Sequence, residues 1–281
     1  MTDRATDMTA HLHIDDHRLL MQQLVPYIRT LGLDLRTWGQ GQAEVRMAPS
    51  PRLAPGPDDA RIDPLVLVGL IDQGLSDALA SVVPFGTGMS TLELQIQFCT
   101  VAPPRGEVCL MAETVHFGGT SAIIRGMVHD AAGALIATSS ALFRVGQFPT
   151  PGRPDASRSH TFDPAGLAGP CAALIGLERH GEDLALRADN PAILGWASGN
   201  ILHGGAVGAL LMAACTRVAP ADQALTSLTI HYLRPSLGSR RLIAQAEPVR
   251  QGAAASFIAA RCHQTDGRPT AQATAVFTQT A

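Results

Sequence analysis

The stretch Glu113-Thr114-Val115-His116-Phe117-Gly118 has a counterpart in Glu247-Pro248-Val249-Arg250-Gln251-Gly252, 134 positions later. The same offset carries Phe98 onto Tyr232, Gly133 onto Gly267, Ala137 onto Ala271 and Phe143 onto Phe277. Chance supplies one or two such matches but hardly all of them at one offset, and self-similarity at a fixed spacing marks a duplicated unit. Each copy then reads in the same order. A helical stretch comes first, over 64–83 and over 204–218. Leu65, Val66, Leu67, Val68, Leu70 and Ile71 open the first one, which is apolar nearly all round. A helix with no polar face must be buried on all sides. Strands are expected over 91–99, 107–117, 121–130 and 134–145, then over 225–233, 241–250, 254–264 and 270–279. Leu92, Leu94, Ile96 and Phe98 alternate with Glu93, Gln95 and Gln97, as a half-buried strand requires. Ala132-Gly133 and Asp266-Gly267 supply the turns before the last strand of each copy.

Between the copies, 149–170 carries Pro149, Pro151, Pro154, Pro164 and Pro170 with several Gly and Ser, the composition of a linker. The expected organisation is a first repeat over 15–148, this linker, and a second repeat over 171–281. Asp15 or Asp16 is expected to cap a helix over 17–30.

Composition narrows the function classes. The chain has 281 residues, 46% hydrophobic and 16% charged, enough apolar material for two ordinary cores. A net charge of -3 with no basic block argues against nucleic acid as a partner. All 21 basic residues are Arg, which reads as compositional bias. Cys99, Cys109, Cys171, Cys215 and Cys262 form no CxxC pair, so reduced thiols in a cytoplasmic protein are expected. The polar, acidic N-terminus lacks the apolar core of a signal peptide, and no apolar run approaches the ~18 residues of a membrane span. His11, His13, Asp15, Asp16 and His17 cluster in a polar terminal segment, where chance explains them better than a metal site.

The second helix is introduced by Gly199-Asn200-Ile201-Leu202-His203-Gly204-Gly205. This resembles the His-Gly-Gly signature of the phenylacetate-pathway (PaaI-like) branch of hotdog-fold acyl-CoA thioesterases. One buried helix followed by antiparallel strands, present twice, resembles the tandem or double hotdog form of that family. The resemblance implies an α+β fold in which each antiparallel sheet wraps its own central helix and the sheets join edge to edge. In that branch an Asp lies nine positions beyond the His, where this chain has Met212. The first helix has the Asp, Asp72, but nine positions before it stand Asp63 and then Pro64. The losses are complementary. Nine residues of helix span ~13 Å, so a cap and an acid on one helix cannot serve the same thioester. Asp72 is therefore expected to face His203 and Gly204, making one composite site, with the mirror site dead.

The physical case for the cap is that the first N–H groups of a helix lack partners and carry the positive end of its dipole. Two glycines let a thioester carbonyl approach that backbone, so the Gly204 N–H can stabilise an oxyanion. Asp72 is the candidate base or nucleophile. The resemblance adds a hydroxyl at the start of the following strand, for which Thr91 fits best with Ser90 beside it. The second copy has Leu225 there. Gly205 and Asn200 are candidate substrate contacts; the Asn that the family often carries six positions before the His is replaced here by Ala197, a departure from the pattern for which Asn200 either substitutes or does not. Arg234 and Arg250, at strand ends, are candidates for the phosphates of coenzyme A. The implied reaction is acyl-CoA hydrolysis with coenzyme A as part of the substrate and no further cofactor. A non-catalytic acyl-CoA binder is the alternative. A hotdog enoyl-CoA hydratase is disfavoured, because neither helix carries an Asp and a His five apart. The resemblance also implies a dimer or larger assembly.

Overall fold

The computed structural model describes residues 13–56, 59, 61–100, 103–146 and 170–279; the expected linker, apart from Pro170, and His11 lie outside them. The first half runs α1 (Ile14–Leu24), α2 (Pro26–Leu31), β1 (Leu33–Gly39), β2 (Gln42–Met47), α3 (Pro64–Ala80), β3 (Gly88–Phe98), β4 (Val108–Phe117), β5 (Ser121–Asp130) and β6 (Leu135–Gly146). The second runs α4 (Cys171–Leu174), β7 (Leu177–His180), β8 (Asp183–Leu186), β9 (Leu194–Trp196), β10 (Ile201–Leu202), α5 (Gly204–Val218), β11 (Gln223–Tyr232), β12 (Leu242–Arg250), β13 (Ala255–His263) and β14 (Pro269–Gln279).

Twelve of the strands form a single sheet in the order β1-β2-β4-β5-β6-β3-β11-β14-β13-β12-β8-β7, while β9 and β10 pair separately. Every pairing is antiparallel, and the two halves meet where β3 joins β11. Across that junction Gln95 faces Thr229, and these positions are 134 apart. A pseudo-two-fold axis therefore passes between them. The irregularities repeat as well. Register slips between Thr91/Glu93 and Leu225/Ser227, between Thr114/His116 and Pro248/Arg250, and between Val128/His129 and Cys262/His263. These three slips of the first half recur at the same offset in the second, whereas the slip between Leu35 and Thr37 in β1–β2 has no counterpart in β7–β8. This is the expected α+β architecture, each antiparallel sheet wrapped around its own helix and the two joined edge to edge.

Inside, α3 is buried from Val66 through Leu75 and α5 from Gly205 through Met212. The two helices touch backbone to backbone: a Cβ on Gly205 would lie 2.4 Å from Gly69 Cα. Their caps, Asp63 and His203, are 140 positions apart rather than 134. The extra length lies behind the first helix, where α3 is longer and seven residues (81–87) lead to β3, against four (219–222) leading to β11.

Two expectations need correction. The hairpins β1–β2 and β7–β8 extend each half-sheet ahead of its helix; Leu33, Leu35, Ala43, Val45 and Met47 bury the inner face of the first. The single helix over 17–30 is instead α1 and α2. Pro26 cannot donate a backbone hydrogen bond and ends α1. The cap of α1 is His13, whose side chain accepts from the Asp15 N–H, while Asp15 and Asp16 occupy the first turn, where the helix dipole favours acids. Among the described residues no helix is long and apolar enough to cross a membrane.

Candidate active site

The crossing of α3 and α5 brings the acid of one half onto the cap of the other. Asp72, in the middle of α3, is 5% exposed. Its Oδ2 lies 3.3 Å from His203 Nδ1, and the Thr91 hydroxyl, from β3, donates to Oδ1 at 2.9 Å. A Cβ on Gly204 would stand 2.6 Å from Oδ2, so only glycine leaves room for the carboxylate there. The expected meeting of Asp72, Thr91, His203 and Gly204 is therefore present in the geometry.

Gly204 and Gly205 divide the work differently from the sequence reading. The Gly205 N–H donates to His203 Nδ1 at 3.0 Å, which is the capping bond of α5. That amide is spent on the protein, and the Gly205 Cα is held against Gly69. Gly205 is thus a helix-crossing residue whose amide caps α5. The Gly204 N–H, first in the helix, has no intrahelical acceptor. The carbonyl of its own peptide, His203 O, accepts from the Ala206 and Val207 N–H groups at 3.0 and 3.1 Å. The peptides on either side are held by the His203 N–H donating to Ile193 O at 2.9 Å and the Tyr232 hydroxyl donating to Gly204 O at 3.0 Å. Burial, with the Asp72 carboxyl nearby, pushes the Tyr232 phenol well above its ordinary value, so it stays a donor. The sequence reading passed over Tyr232, although its partner at the repeat offset, Phe98, lacks the hydroxyl and so marks a further difference between the halves.

His203 is 7% exposed, and its ring packs 4.9 Å from that of the buried Tyr27. Burial lowers its pKa from 6.5 despite the opposing pull of Asp72 and Asp77, so it is neutral at neutral pH. Its Nε2 meets Gln73 Oε1 at 3.1 Å, and Gln73 in turn donates to Asp77 Oδ1 at 2.9 Å. Gln73 and Asp77 were also passed over. Their signal was available: polar residues four apart on a helix otherwise apolar all round must find buried partners.

Four other candidates take no part in these contacts. Ser90 is exposed on β3, while its neighbour Thr91 turns inward. Asn200 takes a left-handed backbone (φ 50°) in a turn, with its Oδ1 against Gly238. Arg234 lies at the site end of β11 but donates to Pro269 O at 3.0 Å on the surface. Arg250 ends β12 at the opposite end of the sheet, beside Gly252, whose carbonyl accepts from Gln223 at the start of β11. With ten residues of strand between, roughly 30 Å, Arg234 and Arg250 cannot grip the same phosphates. At the mirror position Asp63 caps α3, accepting from the Leu65 N–H at 2.9 Å, and burial raises its pKa. Met212, buried, stands where the acid would be. In the His/Asp cluster, His13 caps α1 and His17 turns inward to Asp77. Among the described residues no three such side chains converge as metal ligands.

Residues 25–144 match the family model described as Acyl-CoA thioesterase C-terminal domain, and residues 193–278 match the one described as Acyl-CoA thioesterase N-terminal domain. The half resembling the C-terminal domain comes first here. No curated protein matches the chain. Among solved structures, a conserved protein of unknown function with a hot dog fold from Alicyclobacillus acidocaldarius superposes with a TM-score of 0.60 at 14% identity, covering 91% of this chain and 98% of that one. The tesB protein of Mycobacterium avium subs paratuberculosis gives 0.59 at 14% identity over 91% and 98% of the two chains. The 12:0-ACP thioesterase from Umbellularia californica gives 0.55 at 12% identity over 87% and 100%. These likenesses establish the fold.

Proposed function

We propose that this chain, whose two halves carry acyl-CoA thioesterase family domains, hydrolyses an acyl-CoA thioester at one composite site between them. The observation that carries the proposal is the placement of the Asp72 carboxyl, from the first half, 3.3 Å from the ring of the His203 cap in the second and against Gly204. An acid beside a helix-start amide that the cap leaves unpaired, the Gly204 N–H, is what addition of water to a thioester needs. The carbonyl oxygen takes the Gly204 N–H, where the dipole of α5 favours the charge that develops. Asp72, held by the Thr91 hydroxyl, takes a proton from water as the water oxygen bonds to the carbonyl carbon. The tetrahedral adduct then collapses, the C–S bond breaks, and the proton passes to the departing thiolate. Direct attack by Asp72, giving a mixed anhydride that water cleaves, uses the same groups.

The test is release of free thiol from a panel of aliphatic and aromatic acyl-CoAs, with wild type and Asp72→Asn side by side. Loss of a general base costs about 10²–10⁴-fold, and a collapse of that order in the variant supports the composite site. A variant with full activity sinks it. A wild type that binds acyl-CoA but turns none over makes the protein a binder instead.

A further inference from the structure

Behind the site runs a buried polar chain that the reaction above does not use. His17 (4% exposed), Asp77 (4%), Gln73 (5%) and His203 (7%) follow one another through α1, α3 and the α5 cap. Asp77 Oδ1 meets His17 Nε2 at 3.1 Å and accepts from Gln73 Nε2 at 2.9 Å. The anchor is firm: the His17 ring stacks on Trp38 at 4.3 Å and 10°, and Trp38 Nε1 donates to the Asp77 carbonyl at 2.8 Å.

The chain has a direction. An amide side chain has one donating and one accepting end. With its NH₂ on Asp77, Gln73 turns Oε1 to His203, 3.1 Å from Nε2. An amide oxygen only accepts, so the proton of the neutral imidazole sits on Nε2. The lone pair then sits on Nδ1, where it accepts the Gly205 N–H and faces Asp72 Oδ2. With the proton on Nδ1, the ring would donate to Asp72 and the Gly205 amide would lose its acceptor.

We infer that Gln73, oriented by Asp77, is a positioning residue that selects the Nε2–H tautomer of His203. The selected tautomer keeps α5 capped, holds the Gly204 peptide in place, and presents a basic nitrogen rather than an N–H to Asp72. The Asp72 oxygen is therefore not tied up by a ring proton and stays free to take one from water. The kinetic consequence rests on the hydrolytic function proposed above; the tautomer itself does not.

Two-bond ¹H–¹⁵N correlation spectra of the full chain, labelled at its ten histidines, read the tautomer directly. The His203 signals are identified by their loss in His203→Asn. The wild type is expected to show Nε2 protonated and Nδ1 bare. Gln73→Met removes the acceptor and is expected to move the proton to Nδ1. Its kcat falls about tenfold or more while KM stays near wild type, since a small misplacement of reacting groups costs that much. Asp77→Asn keeps a carbonyl acceptor in the same place and is expected to retain the wild-type tautomer and most of the activity. A wild-type His203 protonated on Nδ1 overturns the inference, whether or not Gln73→Met folds. So does an unchanged tautomer in a folded Gln73→Met. If the wild-type tautomer is as stated and no acyl-CoA is hydrolysed, the hydrolytic proposal has failed and the tautomer assignment stands.

Discussion

At the scale of single residues, the site depends on two side-chain choices that differ in kind. Thr91 supplies one hydrogen bond to Asp72 Oδ1 and occupies a strand position that Val fills equally well. A hydrogen bond to a charged group contributes about 1.5–3 kcal/mol, so Thr91→Val should lower kcat roughly tenfold or more and lower the thermal midpoint by about a few degrees. A kcat equal to wild type would reduce Thr91 to a packing residue. Gly204 matters through absence: an Ala methyl there would stand 2.6 Å from the Asp72 carboxyl and displace it. Gly204→Ala should lose activity by at least ~10-fold even though Ala is the better helix former. That these residues meet could be read in the sequence, because His203-Gly204-Gly205 and Asp72 each supply what the other helix lacks of the resembled pattern, whereas the steric demand on Gly204 is visible only in the crossing. Gln73 and Tyr232 could not be read the same way. Their partners, His203 and the Gly204 carbonyl, sit 130 and 28 positions away, and only the folded crossing brings them together.

At the scale of elements, the strands of the repeat were legible to within three residues at each end, since alternation and the 134-residue offset fix their phase and bound their extent. The hairpins β1–β2 and β7–β8 were not. They precede the helix, lie outside the matching positions, and in the second half are only four residues each. The helix crossing was equally invisible, because its requirement is steric. A methyl on Gly205 would meet the Gly69 backbone at 2.4 Å, and backbone cannot swing aside as a side-chain tip can. Gly205→Ala should therefore lower stability by about 1–3 kcal/mol or more, seen as a reduced denaturation midpoint; an unshifted midpoint would show that the helices do not cross so closely. The α5 cap also carries a pH signature. Burial depresses the His203 pKa below 6.5, so below that pH the unfolded chain binds a proton that the folded one resists. Stability should fall as pH drops through about 6.5 and be retained above it. His203→Asn puts a capping oxygen in place of Nδ1 but does not titrate. The difference in melting temperature between wild type and this variant should grow more unfavourable to wild type toward acid, and a pH-independent difference would contradict the assignment.

At the scale of the whole molecule, the duplication has been used asymmetrically. Each half keeps the full scaffold of six strands around one helix, and the register at the β3–β11 junction places equivalent residues opposite each other. Yet the first half holds the acid and its hydroxyl partner, and the second holds the glycine cap and Tyr232. What the chemistry requires is that an acid-bearing half face a cap-bearing half; which comes first along the chain is immaterial to the geometry, and here the half matching the C-terminal domain model leads. On the proposed mechanism, neither half is a complete catalyst. A pair of first halves would set Asp72 against Asp63 and Pro64, with no free amide at the first helical position, because proline has none. A pair of second halves would set the Gly204 amide against Met212, with no acid. Residues 1–148 and 149–281, produced separately, should each fail to release thiol from any acyl-CoA the intact chain accepts. Produced together, they should regain activity through the β3–β11 edge and the α3–α5 crossing, which hold the halves by packing and backbone pairing. Co-production also keeps those two edges covered, since an open, long strand edge invites aggregation. Turnover by either half alone would mean that the site is not composite. Activity absent from a mixture shown to be a folded one-to-one complex would mean that the covalent connection itself places Asp72 against the cap.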